Sequence, residues 1–173
     1  MGPAAPSAKS PWLVGFGVFL VAGYFLFGWV LSAPPPAQPI RYNHAVHIAN
    51  GLGCEDCHEG ARDQAEATLP TIETCMMCHE EALTDSPEEE KIRTLAAAGE
   101  EMPWRQITQV PTHVYFSHRR HVALGGLGCA DCHGPMETLT EPPRRPYRPI
   151  DMDTCIGCHK EREVRYDCND CHR

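Results

Sequence analysis

All ten cysteines of this chain lie in five copies of one short motif, in which two cysteines are separated by two residues and followed directly by a histidine. The cysteine pairs are Cys54 and Cys57, Cys75 and Cys78, Cys129 and Cys132, Cys155 and Cys158, and Cys168 and Cys171. This motif is typical of haem c attachment, because the two thiols form thioethers with the porphyrin and the adjacent imidazole binds the iron. The sequence therefore predicts five covalently bound haems c.

The chain has ten histidines, which is the number that five irons with two axial histidines each would need. The predicted proximal ligands directly follow the cysteine pairs, and they are His58, His79, His133, His159 and His172. The predicted distal ligands are the other five, His44, His47, His113, His118 and His121. Two imidazoles per iron suit electron transfer, since they leave no open position for a substrate. His113 alone stands outside the two His-x-x-His pairs.

Zinc and disulfide bonds are alternative uses of closely spaced cysteines. Zinc gathers four ligands and gives no reason for a histidine after every second cysteine, and disulfide bonds give no reason for the fixed spacing. Methionine is the alternative distal ligand, because a thioether can take the sixth position and raises the reduction potential. The candidates are Met102, Met136 and Met152, and core packing is the other role open to each of them.

Residues 12–31 form an uncharged apolar segment that reaches about 30 Å as a helix, the thickness of the hydrocarbon core of a bilayer. A cleaved secretory signal usually has a shorter apolar region of about 7–15 residues and a small-x-small cleavage site, so an uncleaved transmembrane helix is favoured. Because Lys9 precedes the segment and haem c is attached outside the bacterial inner membrane, residues 1–11 are predicted to be cytoplasmic. The proline-rich residues 32–39 are a predicted spacer that leads to a periplasmic haem domain.

The part of the chain after this spacer offers about 27 residues for each predicted haem, which is too few for an ordinary apolar core. We therefore expect a multihaem cytochrome fold of loops and short helices packed around the haems, with little or no sheet. One longer helix is predicted, with Ser86 as N-cap, Pro87 in the first position and Glu89 completing a capping box. Gly99 is its predicted C-terminal end.

A repeat at the level of motifs divides the haem domain. Residues 42–58 and 116–133 both read aromatic-x-His-x-x-His and then, after a short interval, Gly-Leu-Gly-Cys-x-Asp-Cys-His. Each copy is followed by a site of the form Thr-Cys-x-x-Cys-His. The repeat predicts a dihaem lobe at residues 40–100 and a trihaem lobe at residues 101–173.

Formal charge is distributed unevenly between the two predicted lobes. Residues 40–101 carry 14 acidic and 4 basic side chains, whereas residues 102–173 carry 9 acidic and 10 basic ones. One interpretation is an acidic face that attracts a basic partner. The other is that the acids solvate a surface helix while arginines pair with haem propionates; the arginines concerned are Arg144, Arg145, Arg148 and Arg162. The net charge of −8 argues against nucleic acid as a partner.

The aromatic-x-His-x-x-His segments before Cys-x-x-Cys-His resemble the class III multihaem cytochromes, the cytochrome c3/c7 group. The resemblance implies that the first histidine of each pair ligates the haem that follows it, so that His44 serves the haem at His58 and His118 the haem at His133. It also implies that the second histidine of each pair reaches another haem.

The chain is also similar to the membrane-anchored pentahaem subunit of alternative complex III, a quinol-oxidising complex. The similarity is carried by the run from Pro103-Trp104 to His118, by the segments around Cys132 and Cys155, and by the single N-terminal helix. It implies that this protein works inside a membrane complex with other redox subunits.

The motifs and the resemblance together predict an electron-transfer subunit in the bacterial inner membrane, with no substrate-turnover site of its own. It would pass electrons from quinol oxidation to a monohaem cytochrome c or another acceptor. The alternative is a stand-alone quinol dehydrogenase or a periplasmic partner of a terminal reductase, and the stand-alone enzyme predicts a quinol pocket and a haem with an open or unusual ligand. A multihaem reductase, for example of nitrite, would typically need a Cys-x-x-Cys-Lys site, which the sequence lacks.

Overall fold

The structure is a computed structural model, and it describes residues 11–32, residue 35 and residues 37–172. The predicted cytoplasmic segment 1–11 lies outside the described residues except for its last residue, and so does part of the predicted spacer 32–39. The chain divides into two compact units, which are considered separately.

The first unit, Met1–Pro36, contains the helix α1 (Pro11–Leu31). Residues Trp12–Leu31 have a mean hydropathy of 2.1 and are not buried within the structure. Apolar side chains cover all sides of this helix, which is the pattern of membrane spans and of helices buried inside large proteins. By length and composition, α1 fits the predicted membrane span.

The second unit, Ala37–Arg173, consists of short helices joined by loops. Its α-helices are α2 (His44–Ala49), α3 (Ile72–His79), α4 (Pro87–Ala98), α5 (Cys129–His133), α6 (Met152–Glu161) and α7 (Cys168–Cys171). Two 3-10 turns lie at Cys54–Asp56 and Met136–Thr138, and a π-helical turn lies at Arg120–Leu124. Over residues 37–172, the β-structure is one isolated bridge between Val114 and His172. The predicted fold of short helices and loops with little sheet is confirmed.

The helix predicted from Ser86 to Gly99 is α4, and both of its ends form as expected. The hydroxyl of Ser86 accepts a hydrogen bond from the Glu88 N–H at 3.3 Å, and Gly99 adopts a left-handed φ of 68°. The predicted capping box is wrong, because the Ser86 N–H donates to the Thr84 hydroxyl at 3.1 Å. The carboxylate of Glu89 turns instead towards the loop that precedes the helix.

A small apolar core lies where α3 and α4 pack together. Its buried side chains are Ile40, Ile72, Ile92 and Met102, and Tyr42, Leu95 and Trp104 are among the residues that pack against them. The indole N–H of Trp104 donates to the Pro70 carbonyl at 2.8 Å, which anchors the edge of the core. Met102 is only 6% exposed among three isoleucines, so it has the packing role that was predicted as the alternative to iron ligation.

The two repeat copies differ by one residue, and a π-helical turn absorbs the difference. Three residues (48–50) separate the second histidine from Gly-Leu-Gly in the first copy, and four residues (122–125) do so in the second. The first copy forms the regular helix α2, whereas the second contains the π-helical turn, which accommodates one inserted residue. In both copies the leucine N–H still donates to the carbonyl of the second histidine, at 3.2 Å and 3.1 Å.

Backbone hydrogen bonds connect residues 40–100 with residues 101–173. The Ala45 N–H donates to the Leu139 carbonyl and the His118 N–H donates to the Ala65 carbonyl, each at 3.0 Å. These bonds join the two predicted lobes within one compact unit. The division into a dihaem and a trihaem lobe stays a prediction about haem groups.

Replacing Ile92 with alanine should lower the free energy of unfolding by about 2–5 kcal/mol, because the change leaves a cavity in the small core. The measurement is guanidinium denaturation of the haem-loaded full chain in detergent, followed by circular dichroism. Leu124→Ala is the control, since Leu124 is exposed and its loss should cost less than about 1 kcal/mol. Equal losses for the two variants would contradict a core at this position.

Candidate haem-binding sites

Three of the five motifs begin their helical turn at the first cysteine. In each, the aspartate before the second cysteine accepts a hydrogen bond from the backbone N–H that precedes the first cysteine. The pairs are Gly53 and Asp56 at 2.7 Å, Gly128 and Asp131 at 2.9 Å, and Asp167 and Asp170 at 3.1 Å. Since the first N–H groups of a helical turn have no partner within it, this aspartate satisfies one of them and fixes the turn.

The other two motifs lie inside the longer helices α3 and α6, which begin one turn before their cysteines. Thr71 and Asp151 are the N-caps, and their side chains accept from the N–H groups of Thr74 at 3.3 Å and Thr154 at 2.8 Å. The hydrogen bond from the Thr154 backbone lowers the pKa of the Asp151 carboxyl, so this cap is charged at neutral pH. The motif histidine lies within or at the end of the helix at His79, His133 and His159, and it follows the helical turn at His58 and His172.

Four pairs of histidine rings lie close together, and each pair joins one predicted proximal ligand to one predicted distal ligand. The ring centroids are separated by 6.2 Å in His47–His79, 6.4 Å in His118–His133, 6.1 Å in His121–His159 and 5.6 Å in His113–His172. A metal ion held between two imidazoles by bonds of about 2 Å separates the ring centroids by roughly 6 Å. The spacing of these rings therefore fits one iron within each pair.

The fifth predicted pair, His44 and His58, is indicated by its electrostatics. The pKa of His44 is lowered by burial first and then by the proximity of His58 and His47. Its Nδ1 atom is buried without a hydrogen-bond partner. Burial, and then His118, likewise lower the pKa of His133. A lowered pKa favours the neutral imidazole, which is the form that binds a metal.

His113 reaches His172 through the backbone of the residues beside it. The Tyr115 N–H donates to the Cys171 carbonyl at 2.6 Å, and Val114 forms the isolated bridge with His172. The two segments are thus held side by side, and their histidine rings are nearly parallel, with an interplanar angle of 10°. The sequence contained no pattern that pointed to this bridge.

The aromatic residue that opens each repeat copy packs against both histidines of its pair. The ring of Tyr42 lies 4.7 Å from that of His44 at 84° and 4.4 Å from that of His47 at 22°. Phe116 repeats this arrangement with its own two histidines, at 4.9 Å and 89° and at 4.7 Å and 22°. The aromatic position was part of the predicted repeat, and its role as a support for both imidazoles is added by the structure.

A backbone carbonyl lies within hydrogen-bond distance of the Nδ1 atom in five of the histidines. The pairs are His47 with Asn43 at 2.7 Å, His58 with Thr68 at 3.0 Å, His118 with Ala65 at 3.1 Å, His121 with Ser117 at 2.8 Å and His159 with Arg165 at 2.6 Å. When Nδ1 donates to such a carbonyl, the ring orientation is fixed and Nε2 is left to bind a metal. Sequence reasoning did not find these partners, because a backbone carbonyl carries no side-chain signal.

The surroundings of His79 are different. Its Nδ1 atom is buried without a hydrogen-bond partner, and Oε2 of Glu89 lies 3.7 Å away. Glu89 is 7% exposed, and it accepts from the N–H of Leu83 at 2.8 Å, the N–H of Thr84 at 3.3 Å and the Thr84 hydroxyl. The Thr84 hydroxyl does most to hold the pKa of Glu89 below its usual range. Sequence reasoning assigned Glu89 to a cap and missed this position.

The structure gives no support to the other uses of the cysteines. All ten cysteines lie in the described part of the chain and are free of disulfide bonds. Among the described residues, no three His, Cys, Asp or Glu side chains converge as a metal site, whereas structural zinc would need four ligands. Free cysteines are what covalent attachment of haem requires.

Comparison with known proteins gives matches over most of the haem domain. Residues 46–133 match the family described as cytochrome c3, and residues 114–173 match cytochrome c7 and related cytochrome c. The chain is 36% identical over 131 residues to the multihaem cytochrome c subunit of menaquinone reductase from Nitratidesulfovibrio vulgaris. The aligned region covers 75% of this chain and 60% of that protein, so the chain spans well under two thirds of its relative. The cytochrome c3 match spans half of the chain and includes the first three motifs, and the chain therefore belongs to the class III multihaem cytochromes, the cytochrome c3/c7 group.

Proposed function

We propose that this chain is a membrane-anchored electron-transfer subunit with five haems c, each held between a proximal and a distal histidine. The observation that carries the proposal is the separation of 5.6–6.4 Å between the rings in four proximal–distal pairs. Haem iron supplies one-electron chemistry when it is bound. The cysteine pairs would attach the porphyrins, and the paired histidines would ligate the irons and so keep substrates away from the metal.

The proposed ligand sets pair every histidine once. They are His44 with His58, His47 with His79, His118 with His133, His121 with His159, and His113 with His172. In each repeat copy, the first histidine serves the motif that follows it and the second serves the next motif along the chain. His113, which has no counterpart in the first copy, serves the last motif.

We further propose that the chain works in a quinone-linked membrane complex, anchored by α1 with the haem domain on the periplasmic side. The similarity to a subunit of menaquinone reductase supports the link to quinone, and the length and composition of α1 support the anchor. The proposed direction is from quinol to a periplasmic or membrane acceptor, as in a complex like alternative complex III. The name of the relative, a reductase, supports the reverse direction as a second candidate.

The number of haems can be tested by removing one attachment site. A Cys168→Ala/Cys171→Ala variant should carry four haems instead of five, because its last motif can form no thioether. Intact-mass spectrometry of the purified chain measures this directly, as does the haem-to-protein ratio from the pyridine haemochrome spectrum. Asn169→Ala lies in the same motif and should keep five haems. A variant that retained its full haem content without these cysteines would contradict covalent attachment there.

The ligand pairing can be tested by removing one of the proposed distal histidine ligands. His113→Ala should convert about one fifth of the haem from low-spin to high-spin and allow it to bind carbon monoxide, since the sixth position is then free. The measurements are EPR of the oxidised chain and the carbon monoxide difference spectrum of the reduced chain. Gln109→Ala, an exposed position in the same segment, should leave all haem low-spin.

Combining His113→Ala with the Cys168→Ala/Cys171→Ala change identifies the haem that His113 serves. If His113 serves the last motif, the combined variant has four haems, all of them low-spin. High-spin haem in the combined variant would assign His113 to another motif. High-spin haem in the unaltered chain would overturn the proposal that histidines fill all axial positions.

The membrane complex and its direction can be tested on native membranes. The chain should co-purify with other membrane subunits, and menaquinol added to this complex should reduce the haems faster than it reduces those of the isolated chain. If the reverse direction holds, pre-reduced haems in the complex should instead be oxidised by added menaquinone. A chain that purifies alone from native membranes, with haems that menaquinol reduces directly, would favour the stand-alone quinol dehydrogenase.

A further inference from the structure

Helix capping does not explain why the carboxylate of Glu89 is buried, because Glu89 forms no capping box with Ser86. Charged groups are rarely buried without partners, because removal from water is costly. Glu89 has its two amide donors and one hydroxyl donor in the loop before α4, and Nη1 of Arg93 lies 3.7 Å from its Oε2. These partners hold the carboxylate on the inner side of α4, where Oε2 lies 3.7 Å from Nδ1 of His79.

The distance between Glu89 and His79 is about 0.7 Å longer than a hydrogen bond of about 3.0 Å between nitrogen and oxygen. Nδ1 of His79 has no other hydrogen-bond partner and is buried. Once Nε2 binds a metal, Nδ1 carries a proton and must donate to an acceptor or stay unsatisfied. A small rotation of either side chain brings Nδ1 and Oε2 within hydrogen-bond distance.

We propose that Glu89 is the hydrogen-bond acceptor of His79 and lowers the reduction potential of the haem bound at Cys75 and Cys78. The inference rests on the proposed function in one respect, namely that His79 ligates a haem iron. Glu89 is a positioning residue, since it would act on the iron through His79.

The direction of the effect follows from charge. A carboxylate that accepts a hydrogen bond from the Nδ1–H group makes the imidazole a more basic ligand, and a more basic ligand stabilises the ferric over the ferrous state. The equilibrium concerned adds one electron to the iron, and no bond is formed or broken and no proton leaves the pair. His58 and His159, two other predicted proximal ligands, each have a neutral backbone carbonyl at this position. The haem at Cys75 and Cys78, called the second haem from here on, should therefore be harder to reduce than it would be with a neutral acceptor.

Glu90 provides a matched control on the next residue of the same helix. Its carboxylate is exposed and bonds Nη2 of Arg93 at 2.8 Å, so it shares the helix and the arginine with Glu89 but lies apart from His79. Glu89→Gln and Glu90→Gln remove the same formal charge. Any effect of charge on the whole domain is therefore common to both variants, and only Glu89→Gln alters the acceptor for His79.

The experiment is a potentiometric titration of the haem-loaded full chain in detergent, followed by visible absorbance and EPR. Glu89→Gln should raise the midpoint potential of one fifth of the haem by at least about 59 mV, which is a tenfold change in the equilibrium constant for one electron. Glu90→Gln should leave all midpoints unchanged within error. Equal shifts in the two variants, or no shift in Glu89→Gln, would overturn the proposal.

A second variant separates the carboxylate from the loop that it anchors. Thr84→Val removes a hydroxyl donor that competes for the charge of Glu89 but keeps the carboxylate beside His79. This variant should leave the midpoint of the second haem unchanged or lower it, because more negative charge remains for the Nδ1–H group. If Thr84→Val raises that midpoint, the order of the loop and not the carboxylate controls the haem, and the proposal fails. This test also stands if Glu89→Gln does not assemble.

His47→Met identifies the second haem and keeps the two proposals distinguishable. A thioether in place of His47 should raise the midpoint of the haem at His79 and add a methionine–iron charge-transfer band. In the double variant with Glu89→Gln, both shifts should fall on the same fifth of the haem. If His47→Met changes no single component, the ligand pairing of the proposed function fails. If it marks one component and Glu89→Gln shifts a different one, only the role of Glu89 fails.

Discussion

The constraint on which the proposed function depends is the placement of two imidazoles about 6 Å apart, which is the spacing that shared ligation of one iron would require. Each of the four observed ring pairs joins two separate segments. The separation along the chain between the paired histidines is shortest in His118–His133 and longest in His113–His172. A link of this kind closes a loop, and closing long loops removes conformational entropy from the unfolded chain. Ligation then contributes to folding in the way that metal does in small metal-binding domains.

The small size of the apolar core explains why such links are needed. Over the described residues, the buried apolar side chains are four in number, and they lie around α3 and α4. Domains with little apolar surface to bury are only marginally stable without disulfides, metals or other cross-links. No disulfide supplies the missing stability, since all ten cysteines are free. Covalently bound haem, with the proposed histidine ligation, would supply cross-links for the segments away from α3 and α4.

Features that depend on contacts within a few residues were predicted well from the sequence. The ends of α4 at Ser86 and Gly99 formed as expected, because each is decided by the conformation and hydrogen bonds of its own turn. The capping box failed because Glu89 had two sets of donors within reach. The loop offers two amides and one hydroxyl, whereas Ser86 offers a single amide, so the larger set holds the carboxylate.

Contacts between distant segments mark the limit of prediction from this sequence. The count of histidines predicted that His113 is a ligand, but no pattern named the motif it serves. Its position beside His172 follows from a hydrogen bond and an isolated bridge between two extended segments, and such a bridge has no periodicity that a sequence could display. The family resemblance implied that His118 serves the motif at His133, and the ring distance of 6.4 Å fits that implication.

The uneven charge of the domain is better understood once structural uses of the charged groups are separated from the rest. All four basic side chains of residues 40–101 form ion pairs, Arg41 with Glu141, Arg62 with Glu55, Lys91 with Glu88, and Arg93 with Glu89 and Glu90. No basic side chain of that segment is therefore left to offset its excess of ten acids. Of the four arginines in the propionate interpretation, Arg162 lies 4.0 Å from Asp131. In the described part of the chain, Arg144, Arg145 and Arg148 form no ion pair within 4.0 Å, and their pairing with propionates stays a prediction.

The two interpretations of the charge concern different segments, and both stay predictions. Pairing with propionates concerns the arginines of residues 102–173, and an attractive surface for a basic partner concerns the acids of residues 40–101. Glu89 belongs to neither group, because it is buried and held by its own loop. When a carboxylate is neither solvated nor accessible to a partner protein, its charge acts on the neighbouring side chains. The side chain next to Glu89 is a predicted iron ligand. In the proposed role of Glu89, the charge that lowers the reduction potential of the haem at Cys75 and Cys78 is separate from the charges that a partner protein would meet.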